Sequence, residues 1–411
     1  MLELLRRRPA FRRLYLAGAI SLIGDWLSLV AVSLLAVRGD DGPTTLAVVF
    51  AAHALPGALG SSVAGSIADR FDRRRVLLVA HLAQCALTLL MVVAAARAEV
   101  GILSLLVLVR SAVASLVSPA ETAALRRVVD PSELVQANSL LASTWSVTFV
   151  LGMAGGGALA MLGPAWAIAL DSVSFVLAAA LVIGLPSMPV DRGDEVTTTA
   201  AALRAAPRDM VSAIRVALRE PALLRAVLSK APLGVGAGAA WVTLNVVADS
   251  AHPFGAAALS LGVLQALRGA GTGLGPMLAN RLIERGASPE KMGHLAALTT
   301  LGAMAALPHA GSMLSLSLVA LAWGIGTGTN WVLSSVAVQS EASDAMIGRM
   351  TALDELLATT TMVLSALAGG RLLSAGVSPA VVVGAFAALG ALAWAGRGLV
   401  TRTERARVVR A

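Results

Sequence analysis

The amino-acid sequence predicts an all-α membrane protein of twelve transmembrane helices in two six-helix bundles, with both termini cytoplasmic. Three observations predict this. The 411-residue chain is 57% apolar and only 14% charged, with a mean hydropathy of +0.80, whereas roughly a quarter of a soluble globular chain is charged. Its apolar residues fall in runs of about 20 between short polar breaks, the length a helix needs to cross a hydrocarbon core of about 30 Å. Its basic residues also alternate by loop. Segment 6–13 carries five, 70–75 four, 126–127 two, 192–225 six, 281–291 three, 349 one and 397–410 five, while the intervening breaks carry only Arg38, Arg97 and Arg371. Cytoplasmic loops collect lysine and arginine, so both termini and every even-numbered loop are placed inside.

The first run, 14–37, comes after five arginines and would resemble a secretory leader, but its length, its internal Asp25 and the further spans behind it mark a retained helix. Runs 44–68 and 76–97 enclose the basic turn at 70–75, and runs 100–119, 139–162 and 164–186 complete a first bundle assigned to 1–187. The longest polar interruption, 188–222, is a cytoplasmic linker. Within it, Met210 to Leu218 reads either as a basic amphipathic helix on the inner membrane surface or as plain linker. Runs 224–248, 256–280, 292–309, 313–338, 351–373 and 379–399 make the second bundle, 223–411. The halves repeat faintly. Ala68-Asp69-Arg70 recurs as Ala279-Asn280-Arg281, 211 positions on, and Gly156-Gly157 recurs as Gly369-Gly370, 213 positions on. Two landmarks at nearly one offset indicate duplication with parallel topology.

A net charge of +8 could suggest nucleic acid, but the arginines form no single patch with interleaved aromatics, and the chain has one tyrosine. The basic loops are topology signals that also favour anionic lipid headgroups, so membrane lipid is an expected partner. A single cysteine, Cys85, allows no intrachain disulfide and no multi-thiolate metal site, and no metal is expected.

The turn between the second and third runs reads Gly65-Ser66-Ile67-Ala68-Asp69-Arg70-Phe71-Asp72-Arg73-Arg74. It resembles the signature loop of the major facilitator superfamily: glycine, three residues, Asp-Arg, two residues, two basic residues. That resemblance implies the major facilitator fold, with Gly65, Asp69, Arg70, Arg73 and Arg74 as a cytoplasmic gating motif whose aspartate meets helix eleven. Asp72 stands where the pattern has a second glycine. Stretches from Phe11 to Trp26, Ser118 to Leu141 and Asp171 to Phe175, together with Gly348-Arg349, are similar to the branch containing macrolide-efflux proteins and enterobactin exporters. Gly152, Gly156 and Gly157 are similar to that branch's antiporter motif in helix five, with Met153 in place of its proline.

Ionisable residues inside a membrane are costly and usually face protein or a water-filled cavity. Asp25, Arg110 and Arg268 lie near mid-span, and Lys230, His53 and Asp171 nearer an edge. Gly18, Ser21, Asp25 and Ser28 recur at helical spacing as one small, polar stripe expected to face a cavity. Burial and a nearby guanidinium act in opposite senses on a carboxyl's proton affinity. Asp25 is therefore the candidate proton-coupling carboxylate and Arg110 its modulator, with a static ion pair as the alternative. Trp26, Trp241, Asn245, Arg268, Trp323 and Asn330 are candidates for lining a cavity for a lipophilic solute, with packing or interfacial anchoring as the alternative for each.

No P-loop is present: the only lysines, Lys230 and Lys291, come directly after Ser229 and Glu290. Uphill transport would then draw on an ion gradient, with no bound cofactor. No Gly-x-Ser-x-Gly elbow or His-Glu-x-x-His spacing supports an enzyme. The expectation is a monomeric exporter of a small lipophilic or amphipathic compound (a drug, an antibiotic or a siderophore-like metabolite) by proton antiport. Uptake or facilitated diffusion of a polar solute is the runner-up, and a non-transporting scaffold or receptor the reading from another class. Arginine far outnumbers lysine, which points to a GC-rich bacterial genome and hence a bacterial cytoplasmic membrane.

Overall fold

A computed structural model describes residues 2–68, 70–189, 199–343 and 346–408. The fold is all-α, and no strand occurs among the described residues. In chain order the helices are α1 Leu2–Arg7, α2 Pro9–Val37, α3 Gly42–Ala68, α4 Arg73–Ala96, α5 Val100–Ala114, α6 Val117–Val128, α7 Leu134–Ala160 and α8 Pro164–Ile183. Then come α9 Thr199–Arg219, α10 Pro221–Val227, α11 Ala231–Ala251, α12 Ala257–Glu284, α13 Pro289–Ala306, α14 Met313–Glu341, α15 Ile347–Ser374 and α16 Pro379–Val408. In hydrocarbon every backbone N–H and C=O must be satisfied within its own segment, which is why long apolar runs become helices.

Among the described residues, ten helical segments are long and apolar enough to cross a membrane; α12 and α13 are helical but fall outside that set. Large apolar side chains are exposed along these ten segments, including Leu59, Leu105, Leu177, Leu318 and Leu392. That pattern belongs to a surface solvated by lipid rather than water. The chain is a multi-pass membrane protein.

Two predicted spans are broken. The fourth divides into α5 and α6 at residues 115–116, and α6 runs on to Val128. The seventh divides into α10 and α11 at residues 228–230. Pro232, at the second position of α11, offers no N–H to a preceding turn, so the helix restarts there.

Two compact units form. The first comprises Met1–Gly39, Ala52–Ala206 and Gly255–Ala266, and the second Asp40–Ala51, Pro207–Phe254 and Leu267–Ala411. In the first, α2 packs on α7 and α8, and α4 on α8 and α5. In the second, α11 packs on α15 and α16, and α13 on α14 and α16. The start of α3 belongs with the second unit and the start of α12 with the first, and the repeated glycine pair shows why. A Cβ on Gly370 would stand 2.6 Å from the Pro43 carbonyl oxygen, and one on Gly157 would stand 2.7 Å from that of Ala258. Their partners in each pair make the equivalent contacts, Gly156 on Leu27 of α2 and Gly369 on Ala239 of α11. Small residues thus let backbones touch at four crossings, the geometry that stabilises helix pairs in lipid.

Candidate functional site: a shared guanidinium beside a cavity

Asp25 sits on α2, Arg110 on α5 and Asp171 on α8. The packing of the first unit brings all three together. Arg110 Nη1 lies 3.0 Å from Asp25 Oδ1 and 2.5 Å from Asp171 Oδ2. It also donates to Ser28 Oγ at 3.4 Å, and Ser28 in turn donates to the Asp25 carbonyl at 3.1 Å. Asp171 accepts a further bond from Ser174 Oγ at 3.3 Å, and the guanidinium stands 5.9 Å from the Phe175 ring centroid. Gly24 makes the approach possible, because a Cβ there would meet Asp171 Oδ1 at 2.5 Å and collide with Ser174.

The two carboxylates differ in environment. The Asp171 side chain is fully buried at 0% exposure, while that of Asp25 is 20% exposed. Asp25 and Arg110 form part of the wall of a cavity of about 210 Å³, whose other lining residues are His53, Gly57, Ser111, Ala114 and Ser115. Within it, Asp25 is the carboxylate that meets the open space, and Asp171 is a closed anchor behind the guanidinium. With all three groups ionised the cluster carries one net negative charge.

The expected pairing of Asp25 with Arg110 is present, and Ser21 and Ser28 of the small polar stripe are buried beside it. Trp26 does not line the cavity. It packs on His53, Trp145 and Phe149 at centroid distances of 6.1, 5.8 and 4.7 Å, with its Nε1 buried and without a hydrogen-bond partner. The remaining lining candidates belong to the second unit. Arg268 stands over Trp323 at 5.3 Å. Trp241 packs on Phe50 at 4.7 Å, and its carbonyl accepts from Asn245 Nδ2 at 2.7 Å. Asn330 is buried.

The sequence places Asp171 near a span edge and offers no partner for it, yet its carboxylate is the second one that Arg110 holds, because which helices lie beside α8 is set by packing between distant segments. The same holds for a second group. Lys230 Nζ, at the start of α11, reaches Asp354 Oδ2 at 2.8 Å and Glu355 Oε1 at 2.5 Å, and lies 4.2 Å from the Trp331 ring centroid. Both carboxylates are on α15, and the adjacent Asp-Glu pair inside an apolar helix is the signal that could have found them.

In the turn after α3, Asp69 lies outside the described residues. Gly65 lies in the last part of α3 and Arg70 on the exposed turn. Arg73 and Arg74 both engage carbonyls at the end of α8 and just beyond it. Arg73 Nη1 donates to the Pro189 carbonyl at 3.1 Å and Arg74 Nη2 to that of Ile183 at 2.6 Å. Cations there complement the negative end of the helix dipole. Asp72 does not need a left-handed backbone, having φ of −52°; it is the N-cap of α4. Its carboxylate accepts from Arg75 N at 3.1 Å, Ser187 Oγ at 2.7 Å and Met188 N at 2.8 Å. Burial works to raise its proton affinity, but bonds from Ser187 and from the backbone of Arg75, Met188 and Arg74 outweigh it and hold the carboxyl below its ordinary value. In the helix-five motif, Gly152 faces the Trp26 side chain and the Ile23 carbonyl.

Comparison with known proteins gives a family. The model for the Major Facilitator Superfamily matches residues 14–357. The enterobactin exporter EntS of Escherichia coli O1:K1 / APEC is 28% identical over 362 residues, 86% of this chain and 82% of that protein. An uncharacterized MFS-type transporter, YfiS of Bacillus subtilis (strain 168), is 30% identical over 157 residues, 38% of this chain and 37% of that protein. Among solved structures, the nucleoside transporter NupG superposes with a TM-score of 0.71 at 13% identity, over 95% of this chain and 98% of that one. The peptide transporter POT in complex with sulfate does so with a TM-score of 0.68 at 15% identity, over 96% and 95%. At such identities these two structures speak for the fold alone.

Proposed function

The chain belongs to the Major Facilitator Superfamily and is a membrane transporter rather than an enzyme, and from that premise we propose that it exports a small lipophilic or amphipathic compound in exchange for protons. The observation that carries this reading is the sharing of Arg110 between a buried carboxylate and a cavity-facing one. The relation to EntS supports the outward direction. Twelve crossings, cytoplasmic termini and the cytoplasmic membrane of a bacterium complete the proposal, with the arginine-rich even loops as their support.

In this mechanism Asp25 alternates between two states. Ionised, it leaves the cluster with one surplus negative charge next to the cavity, a costly arrangement within a membrane unless a cation balances it. Protonated, it gives up its claim on Arg110, which stays paired with Asp171, and the cluster becomes neutral. Asp171 thus keeps the guanidinium from being stranded when Asp25 takes a proton. A difference of one charge between the two states lets the proton gradient favour one orientation of the transporter over the other during alternating access.

The test is Asp25→Asn in everted vesicles, with a fluorescent substrate supplied outside, at their cytoplasmic face, and its accumulation in the lumen followed. Loss of proton-driven transport, with exchange in the absence of a gradient retained, is the expected result. Undiminished coupling would exclude the role given to Asp25. In whole cells, expression should lower accumulation of a lipophilic dye, and a protonophore should restore it.

A further inference from the structure

The helix that joins the two halves presents three separate faces, and tertiary packing decides what each one meets. Ala213 and Ala217 of α9 are buried against Leu223, Ala226 and Val227 of α10, Val338 near the end of α14, and Met350 near the start of α15. An ion pair between Asp209 and Arg349, 2.9 Å long, fastens the same helix to α15. On its outer side Val211, Ile214 and Leu218 are 51%, 43% and 65% exposed. At about 100° per residue these three lie within about 60° of one another around the axis. Arg208, Arg215 and Arg219, all exposed, make a parallel stripe directly beside them. The residues that hold α9 in place are at the ends of long apolar helices, Val338 near the end of α14 and Met350 near the start of α15.

We propose that α9 is a surface-bound helix whose Val211–Ile214–Leu218 stripe enters the inner leaflet while Arg208, Arg215 and Arg219 bind anionic lipid headgroups. An apolar stripe bordered by arginines is the pattern of a helix lying in a membrane interface. The apolar stripe alone would suit a protein partner equally well. The adjacent basic stripe selects a negatively charged lipid surface, to which each arginine adds about fivefold in affinity. The Asp209–Arg349 pair then links lipid occupancy to the first turn of α15. This inference rests on the cytoplasmic placement of the linker.

Site-directed spin labelling of the full-length protein tests it. In a Cys85→Ser background, nitroxides are placed at Val211→Cys, Ile214→Cys and Ser212→Cys, and the protein is reconstituted in phosphatidylcholine vesicles with and without phosphatidylglycerol. Labels at 211 and 214 should be more accessible to oxygen than to an aqueous nickel complex, the label at 212 the reverse, and the contrast should deepen with phosphatidylglycerol. Replacing Arg208, Arg215 and Arg219 together by Gln should remove that deepening. Nickel accessibility at 211 and 214 equal to that at 212 overturns the inference, as does shielding from both reagents, which would mean a protein cover, or indifference to phosphatidylglycerol. Labelling of Ser212→Cys by an impermeant maleimide in intact cells would instead refute the topology.

Discussion

Arg110 offers one terminal nitrogen, Nη1, to both Asp25 and Asp171, so the three residues should respond differently to substitution. Arg110→Ala leaves two carboxylates facing each other inside the helix bundle. Removing one partner of a buried ion pair typically costs about 3–5 kcal/mol, and thermal unfolding in detergent should show a loss of that order. Asp171→Asn should destabilise more than Asp25→Asn, since Asp171 is fully enclosed and also bonds Ser174, whereas Asp25 retains access to the cavity. Equal effects would argue against the anchor role. Outside the membrane, Asp72→Ala removes the N-cap of α4, worth about 1 kcal/mol. Because hydrogen bonds hold the Asp72 carboxyl below its ordinary value, its stabilising contribution is present above the unfolded value near 3.9 and disappears as pH falls through the lower folded one. The melting temperatures of variant and parent should therefore differ at pH 7, and the difference should shrink as the pH is taken below the ordinary carboxylate value.

At the scale of elements, the glycine crossings determine which helices meet. A Cβ on Gly156 would stand 2.8 Å from the Leu27 carbonyl and 3.0 Å from its Cα, and backbone cannot yield as a side chain tip can. Gly156→Val should separate α7 from α2 and lower stability by about 1–3 kcal/mol. Gly302, with nothing within 4 Å of its would-be Cβ, is the control. Gly302→Ala should be neutral or gain up to about 1 kcal/mol of helix propensity. The melting temperatures of both variants check the contrast. The paired glycines were legible in the sequence as a repeat, because identical dipeptides at nearly one offset are visible without coordinates. Their partners were not legible, because which helix lies opposite depends on contacts among distant segments. Both helix breaks left a trace in the sequence, Pro119 in the first turn of α6 and Pro232 in the first turn of α11, since proline supplies no N–H to the turn before it.

For the molecule as a whole, the proposed crossings make a prediction about sidedness, sharpest where α12 and α13 lack the apolarity of the other spans. Single cysteines at Ala287 and Gly311 flank α13. An impermeant reagent should label Gly311→Cys in intact cells and Ala287→Cys only in everted vesicles. Labelling of both from one side would remove that crossing and the proposed topology with it. The sequence by itself determined the solvent of this protein, its helical class and its superfamily, because hydropathy, arginine placement and a cytoplasmic turn are properties of contiguous segments that do not depend on how the helices pack. Asp25 with Arg110 was within its reach too, since a charge in an apolar run is conspicuous wherever it points. Only the tertiary structure decided that Asp171 shares the guanidinium, that Lys230 meets Asp354 and Glu355, and which face of α9 is left uncovered. Those facts depend on helix rotation and crossing, which are set by close packing between residues tens to more than a hundred positions apart in the chain.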